Sequence, residues 1–410
     1  MLPPRFRGGV GGSPHLTHKK QLCPPRARPA APEHTMAPAA LLACMCAWSV
    51  LFTHARAVAP GQRTRLGLAR SAGVARRKAG NSRCRVARIE PDCDWDACAA
   101  APPGRRYVVL SSDTGDMKYA TFLPLTAFIW ARKHNVTPIV ILVTEGRPSA
   151  QTKYVAAWAA KAGSVVRYVA PGDRGDPKTL SQVVRLAAFA LGVARDNDVL
   201  VTADADIWPL SSSYWAALLG GAHDVVIANG DFFRQQAGTD NRIALSYVAA
   251  KACLWNFVVS HGLSDGGAAP TPLLSPSRHA CAPLVHNTAA CVASSILDKG
   301  ANRYGNRWTD DSPDKESSAQ WSWDQVFLTE SVLALNETAC LSTLFGRDLS
   351  ARRLDRANWA FNGRPESYTD AHLPQDDVTM GRWDTLAPLW ARLFPGQLAW
   401  AEAYVAGFPR

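Results

Sequence analysis

The sequence predicts an α/β fold in which a mostly parallel central sheet is flanked by helices. From residue 105 onward, short apolar runs alternate with segments of helical periodicity, which is the pattern of successive βα units. Where such a run is fully apolar, the strand is expected to be buried on both faces. At 410 residues the chain is long enough to bury a large core, and we expect one domain over residues 105–410.

The elements are expected in a regular order as far as the middle of the domain. The first strand, at 107–112, reads YVVLSS and the second, at 138–144, reads PIVILVT. The helix between them, at 117–134, has an apolar face and is interrupted at Pro124. Further strands are expected at 165–169, 198–202, 224–228 and 289–293, and further helices at 150–162, 179–191 and 323–335.

The charge of the chain is unevenly distributed. Residues 1–89 carry sixteen Lys and Arg against the single acid Glu33, a net charge of +15, whereas residues 90–410 carry 29 bases and 33 acids, a net charge of −4. The basic character therefore belongs to a leader rather than to the main domain, and nucleic acid is not expected as a partner. The leader is rich in Pro, Gly, Ala and Arg, a composition typical of disorder.

Residues 37–53 are uncharged and mostly apolar, and their length lies at the short limit for crossing a bilayer. One interpretation, which we favour, is the signal-anchor of a single-pass type II protein of the Golgi or another secretory-pathway membrane, with a lumenal domain. The other is a cleaved signal peptide of a secreted protein, or a leader for plastid targeting. We expect a basic tail at 1–35, the anchor or signal peptide at 36–58, an Arg-rich linker or stem at 59–104 and the domain at 105–410.

The cysteines and two sequons are compatible with a lumenal domain. No paired CxxC spacing occurs, so zinc is not expected. Cys93 and Cys98 could close a small loop, and four others could cross-link the C-terminal half: Cys253, Cys281, Cys291 and Cys340. N-glycosylation sequons begin at Asn135 and Asn336.

Carboxylates follow two of the predicted strands. The strand at 107–112 continues into Asp113, and the strand at 198–202 continues into Asp204 and Asp206. Ligands of open α/β sheets bind at the carboxyl ends of the strands. Two neighbouring carboxylates repel each other unless a cation joins them, and Mn²⁺ or Mg²⁺ would also bridge to diphosphate oxygens. The simpler interpretation is that these acids cap a strand and begin a turn.

This Asp-x-Asp motif, placed between an apolar strand and Trp208-Pro209-Leu210, resembles that of the GT-A family of nucleotide-sugar glycosyltransferases. The resemblance covers roughly residues 105–375 and implies a Rossmann-like nucleotide-binding half followed by an irregular acceptor half. It implies that Asp204 and Asp206 coordinate Mn²⁺ (or Mg²⁺). It also implies that Ser112 and Asp113 hold the nucleoside and that Arg185 contacts the sugar nucleotide, although Arg185 could be an ordinary surface residue of a helix.

Two later segments extend the resemblance. Asp324-Gln325 resembles an element of retaining glycosyltransferases that lies beside the donor sugar, although Asp324 could instead cap a helix. His372 lies where such enzymes often supply a third metal ligand, although a single His is more often exposed or packed. The fuller His-x-x-Gly-x-x-Lys motif of some of these families is absent.

The resemblance therefore implies a metal-dependent hexosyl- or pentosyltransferase. It would move a sugar from a nucleotide-diphosphate sugar to a hydroxyl of a glycan, protein or small molecule, with retention of configuration, and residues 37–53 would attach it to a membrane. Two alternatives remain open: a non-catalytic lumenal binding protein of the same fold, and a sugar nucleotidyltransferase. For the latter, residues 111–116 lack the usual Gly-rich loop.

Overall fold

The computed structural model describes residues 95–171, 176–218, 223–228, 242–264, 288–304, 320, 322–338, 343–345, 352–374 and 381–409. The strands are β1 Arg106–Asp113, β2 Thr137–Val143, β3 Val165–Val169, β4 Val199–Thr202, β5 Ile207–Pro209, β6 Val225–Ile227, β7 Val248–Lys251, β8 Thr343–Phe345, β9 Arg353–Leu354 and β10 Asp370–His372. The helices are α1 Trp95–Ala100, α2 Met117–Ala120, α3 Leu123–His134, α4 Ala150–Lys161, α5 Pro177–Val183, α6 Ser212–Leu218, α7 Ala252–Leu263, α8 Thr288–Tyr304, α9 Trp323–Thr338, α10 Trp383–Leu393 and α11 Leu398–Ala406.

The central sheet has seven strands in the order β3-β2-β1-β4-β7-β6-β8. Strands β3, β2, β1 and β4 are parallel, whereas β7 runs antiparallel to both of its neighbours, β4 and β6. Strand β8 is parallel to β6. The predicted α/β class, with a mostly parallel central sheet flanked by helices, is confirmed.

The core lies on both faces of this sheet. Along β1, Val108 and Leu110 belong to one apolar cluster, and Tyr107 and Val109 belong to the other. Successive side chains of a strand point to opposite faces, which explains why the buried strands read as continuous apolar runs. Helices α3, α4, α10 and α11 cover the first face, and α5, α7, α8 and α9 cover the second.

A second sheet of three short strands, in the order β5-β10-β9, was not predicted from the sequence. Strand β10 pairs antiparallel with β5, so that His372 lies opposite Ile207, and pairs parallel with β9. This small sheet joins the segment after the Asp-x-Asp motif to residues far along the chain.

Three predicted elements need correction. The helix expected at 117–134 is divided into α2 and α3, and Pro124 lies in the first turn of α3, where a missing N–H costs little. The helix expected at 179–191 ends at Val183 and is followed by a separate 3-10 helix at Ala188–Leu191. The strand expected at 289–293 is part of α8.

The disulfide in the described residues joins Cys98 of α1 to Cys253 of α7. The pairing of Cys98 with Cys93 was therefore wrong, and so was the grouping of Cys253 with the later cysteines. Lys251 strengthens the junction, because its Nζ donates hydrogen bonds to the carbonyl oxygens of Cys98 and Ala101. Helix α1, which lies within the predicted linker 59–104, is thus held against α7.

No helix within the described ranges is both long enough and apolar enough to cross a bilayer. The predicted tail, the apolar segment 37–53 and most of the predicted linker lie outside the described residues.

Candidate active site

One pocket of about 290 Å³ opens where β1 and β4 end. Its lining includes all eight side chains that the sequence singled out: Ser112, Asp113, Arg185, Asp204, Asp206, Asp324, Gln325 and His372. The carboxyl edge of the sheet was predicted as the ligand site, and the structure brings the predicted residues together there.

Arg185 lies just after α5 and is 7% exposed, so it is not a surface residue. Its Nη1 bonds to Asp204 Oδ1 and donates to the carbonyl oxygen of Ala203 at 3.1 Å. Its Nη2 lies 3.5 Å from Asp324 Oδ2. A single buried guanidinium therefore connects the first acid of the Asp-x-Asp motif to the acid of the Asp-Gln pair.

Asp204 is held in its charged form. Burial alone would raise the pKa of this carboxyl, but the charge and hydrogen bond of Arg185 outweigh burial and lower the pKa below its usual value. His372 and a hydrogen bond from Ser246 act in the same direction. The side chain keeps 34% of its surface exposed, so a ligand in the pocket can reach it.

Asp324 is the second residue of α9 and is only 2% exposed. Its Oδ1 accepts the N–H of Gln325 at 2.8 Å. Burial raises the pKa of Asp324 to about 6, although Arg185 opposes the shift. Because α9 begins at Trp323, Asp324 lies inside the first turn rather than at the cap, and its carboxyl also faces the pocket.

Asp206 and His372 meet through the small sheet. Asp206 immediately precedes β5, and its carbonyl oxygen accepts the N–H of Leu373 at 2.8 Å. Its Oδ2 lies 3.5 Å from His372 Nε2 and 3.5 Å from Arg356 Nη1. Nδ1 of His372 lies 3.7 Å from Asp355 Oδ2. The carboxylate of Asp206 therefore lies close to the imidazole of His372 and the guanidinium of Arg356, both from the C-terminal part of the chain.

Ser112 and Asp113 end β1 at the other side of the pocket, and both are buried. Oδ1 of Asp113 accepts the N–H of Asp116 at 3.0 Å, which holds the turn after the strand. Burial raises the pKa of Asp113. Lys178, at the start of α5, brings a cation to the same part of the pocket.

Sequence reasoning missed several lining residues, among them Ser246, Arg353 and Arg356. Arg353 forms two hydrogen bonds, at 2.8 and 2.7 Å, with the fully buried carboxylate of Asp370. The strands that bring Arg353 and Asp370 together, β9 and β10, have only two and three residues, which is too few for a periodic sequence signal. Arg356 likewise belongs to no local motif.

The backbone next to Ser246 is held in an uncommon conformation. Tyr247 has φ of 68°, in the left-handed region that side chains other than Gly seldom adopt. Its N–H donates to the carbonyl oxygen of Thr202 at 2.6 Å, and Thr202 Oγ1 donates to the carbonyl oxygen of Leu245 at 2.5 Å. These bonds fix the segment against the end of β4, where Ser246 reaches Asp204.

The donor set suits a hard divalent cation. Two carboxylates and an imidazole, from Asp204, Asp206 and His372, face one pocket. Asp206 Oδ2 and His372 Nε2 are 3.5 Å apart, a separation that two ligands can span when each lies about 2.1 Å from one cation. Among the described side chains, no group of three acids, histidines or cysteines is already arranged as a metal site. Because Asp204 already bonds to Arg185, a cation held by Asp204, Asp206 and His372 would share the Asp204 carboxylate with that guanidinium.

No protein-family model and no curated protein matches the chain. Solved structures do. The galactosyltransferase LgtC, in complex with donor and acceptor sugar analogues, matches over 70% of this chain and 95% of its own, at 13% identity and a TM-score of 0.35. GlyE of Streptococcus pneumoniae matches over 72% and 65%, at 11% identity and a TM-score of 0.36. Mouse xyloside xylosyltransferase 1 matches over 66% and 97%, at 10% identity and a TM-score of 0.31.

The three matched proteins are named as glycosyltransferases. At these identities and TM-scores the likeness is not evidence of an activity for this chain.

Proposed function

We propose that the chain is a metal-dependent glycosyltransferase that moves a sugar from a nucleotide-diphosphate sugar to an acceptor hydroxyl. The observation that carries the proposal is the convergence of the Asp-x-Asp motif, the Asp-Gln pair and His372 in one pocket at the carboxyl edge of the sheet. These residues come from three separate parts of the sequence, and a capping role for each acid does not explain their convergence.

The two sides of the pocket would hold different parts of the donor. Ser112 and Asp113 would bind the nucleoside at the end of β1. Asp204, Asp206 and His372 would hold Mn²⁺ or Mg²⁺, which supplies positive charge beside the departing nucleoside diphosphate. Arg185 is already fixed by its carboxylate partners, so it can contact the donor without reorganising.

The transfer exchanges one bond for another at the sugar. The bond between the anomeric carbon and the diphosphate oxygen breaks, the acceptor oxygen bonds to that carbon, and the acceptor proton leaves with the diphosphate. Asp324 and Gln325 would lie beside the anomeric carbon, where a carboxylate stabilises developing positive charge. Retention of configuration is proposed because this pair resembles that of retaining families and no separate general base stands out in the sequence.

The test is turnover of a panel of nucleotide sugars by the full-length protein with Mn²⁺. Asp204→Asn and Asp206→Asn should each lower turnover at least about 100-fold, because each removes a carboxylate that would hold the cation. Chelation of the metal should abolish turnover. Added Mn²⁺ should raise the melting temperature of the wild type but not of Asp206→Asn.

Glu402→Gln provides a matched control, because Glu402 is an exposed acid outside the pocket. It should leave turnover unchanged. Near-normal turnover in both aspartate variants would overturn the proposed site, and absence of turnover for every donor would favour the non-catalytic alternative. An inverted product, read from its anomeric proton coupling, would contradict retention alone.

We also propose that the domain lies in the lumen of the Golgi or another secretory-pathway compartment, anchored through residues 37–53. Two features support this proposal. The apolar segment follows a basic tail, as in signal-anchors. The disulfide between Cys98 and Cys253 suits an oxidising compartment, since the cytosol keeps most thiols reduced.

A further inference from the structure

A second concavity lies near the three-stranded sheet and is lined by residues next to some of those that line the catalytic pocket. Arg353 lines the catalytic pocket, whereas its neighbour Arg352 lines this groove. Likewise, Ile207 at one end of β5 faces the pocket, and Leu210, just past the other end, faces the groove. The groove measures about 650 Å³, and we call it the basic groove after its cations Lys133, Arg352 and Arg392.

The cations of the basic groove come from three separate segments. Lys133 is in the last turn of α3, Arg392 is in the last turn of α10, and Arg352 immediately precedes β9. Glu366 is the one acid among the lining residues, so the lining carries a formal charge of +2.

Within the described part of the chain, none of the three cationic side chains forms an ion pair or a hydrogen bond. The arginines of the catalytic pocket differ in this respect: Arg185 contacts two carboxylates, and Arg353 holds Asp370 through two hydrogen bonds. Positive charge is thus paired with carboxylates in the catalytic pocket, whereas the basic groove keeps a formal charge of +2.

Helix dipoles account for only part of this arrangement. A cation in the last turn of a helix is favoured by the dipole, which covers Lys133 and Arg392. Arg352 belongs to neither of these α-helices but to a 3-10 segment directly before β9, yet it faces the same groove. Lys133 is moreover half-buried, and burial lowers its pKa against the opposing charge of Glu366. An anion in the groove would offset the cost of keeping that ammonium charged.

We propose that the basic groove binds a phosphate or sulfate ester group of a ligand. A phosphate monoester, with close to two negative charges, balances the formal +2 of the lining, and a sulfate ester balances one of the two charges. Arginine matches the oxygens of either group with paired N–H donors. The side chains of Leu210 and Leu393 and the ring of Tyr214 also line the groove and would contact the organic part that carries the ester. The inference does not depend on the proposed transferase activity.

The test compares two full-length triple variants that lose the same charge. The groove variant is Lys133→Gln with Arg352→Gln and Arg392→Gln. The surface variant is Lys153→Gln with Arg195→Gln and Arg364→Gln, three exposed residues outside the groove. Equilibrium dialysis against radiolabelled inorganic phosphate, at constant ionic strength set with chloride, should show at least about tenfold weaker binding by the groove variant than by the surface variant.

A third variant shows where phosphate binds. Arg356→Gln alters the catalytic pocket and should leave phosphate affinity near that of the wild type. Equal affinity of the two triple variants, or loss in Arg356→Gln with retention in the groove variant, would overturn the proposal. Circular dichroism and melting temperature establish that each variant is folded, and single substitutions replace any triple variant that is not.

The source of the ester group is distinguished by two further kinds of probe. Glucose 6-phosphate and glucose 6-sulfate represent soluble esters, and phosphatidylcholine vesicles containing phosphatidic acid represent a lipid headgroup. Binding of either that is lost in the groove variant supports the proposal and identifies the source. Binding of neither by the wild type, even where inorganic phosphate binds, would contradict an ester ligand and leave an adventitious ion only.

Discussion

Arg185 is the residue on which the electrostatics of the pocket depend. It lies between Asp204 and Asp324, so one positive charge compensates two carboxylates. The charge of Asp204 also raises the pKa of Asp324, because like charges disfavour ionisation. With both acids ionised, the trio retains one negative charge, which favours the arrival of a cation.

His134 leads to a prediction about acid stability. Its Nε2–H donates to the carbonyl oxygen of Pro209 at 3.0 Å, and burial lowers its pKa to about 4. In the unfolded chain the pKa is about 6.5. Between these values the unfolded state binds more protons, so folding stability falls as pH falls. As the pH falls from about 7.5 to about 5, protonation of His134 in the unfolded chain should therefore lower the free energy of unfolding by about 2 kcal/mol.

The His134→Gln variant measures this contribution, because glutamine keeps an N–H donor and does not titrate. Urea unfolding at the two pH values should show a smaller loss of stability in the variant than in the wild type. Equal losses in both proteins would show that His134 is not the group responsible.

At the scale of residues, sequence reasoning identified side chains that belong to local motifs. Asp204 and Asp206 follow a buried strand, and Asp324-Gln325 opens a helix, so each is visible in a short window. Arg353 and Arg356 carry no such context, because their place depends on the pairing of β9 with β10. The basic groove could not be predicted from the sequence either, because its cations are far apart in the chain.

At the scale of elements, the length of a strand determined whether the sequence could predict it. Strands β1 to β4 have four to eight residues and are fully or largely apolar, so they stand out from their surroundings. Strands β5, β9 and β10 have only two or three residues. A segment that short has no period of its own, and its conformation is set by its partner strand.

The attachment of α1 to α7 supports a prediction about stability. The disulfide between Cys98 and Cys253 spans 155 residues and so restricts a long segment of the unfolded chain. Reduction should lower the free energy of unfolding by about 2–4 kcal/mol. Urea unfolding with and without a reductant measures the difference.

Two variants distinguish the effect of this disulfide on stability from the effects of other thiols. A Cys98→Ser, Cys253→Ser double variant should be as unstable as the reduced wild type and should not respond to reductant. A Cys291→Ser variant removes a different thiol and should keep the response of the wild type to reductant, because the bond between Cys98 and Cys253 remains. A double variant as stable as the oxidised wild type would contradict a structural role for the bond.

At the scale of the whole molecule, the N-terminal half of the domain was more predictable than the C-terminal half. Strands β1, β2 and β3 pair in parallel with their neighbours in sequence order, as βα units do, and β4 adds in parallel on the other side of β1. Strand β7 reverses direction and inserts between β4 and β6, and β8 joins from more than a hundred residues later. Such pairings depend on the assembled core rather than on local sequence.

The proposed lumenal location leads to a prediction about glycosylation. Asn135 and Asn336 are both exposed and both begin sequons. The full-length protein expressed in mammalian cells should therefore carry N-glycans, lose mass on treatment with an endoglycosidase, and resist extraction from membranes by carbonate. Asn135→Gln with Asn336→Gln should abolish the mass shift but not the membrane association.

An unglycosylated wild-type protein that is released by carbonate would contradict the lumenal location. Release into the medium as a glycoprotein would instead favour the cleaved signal peptide over the anchor.

The small sheet also has a consequence for the order in which the protein is made. Asp206 is synthesised roughly 170 residues before His372, a delay on the order of 10–30 s at translation rates of 5–20 residues per second. Until β9 and β10 have been synthesised, Asp206 lacks the imidazole and guanidinium that they bring to it. A nascent chain, or one shortened by an early stop codon, would therefore carry the Asp-x-Asp motif without a complete site.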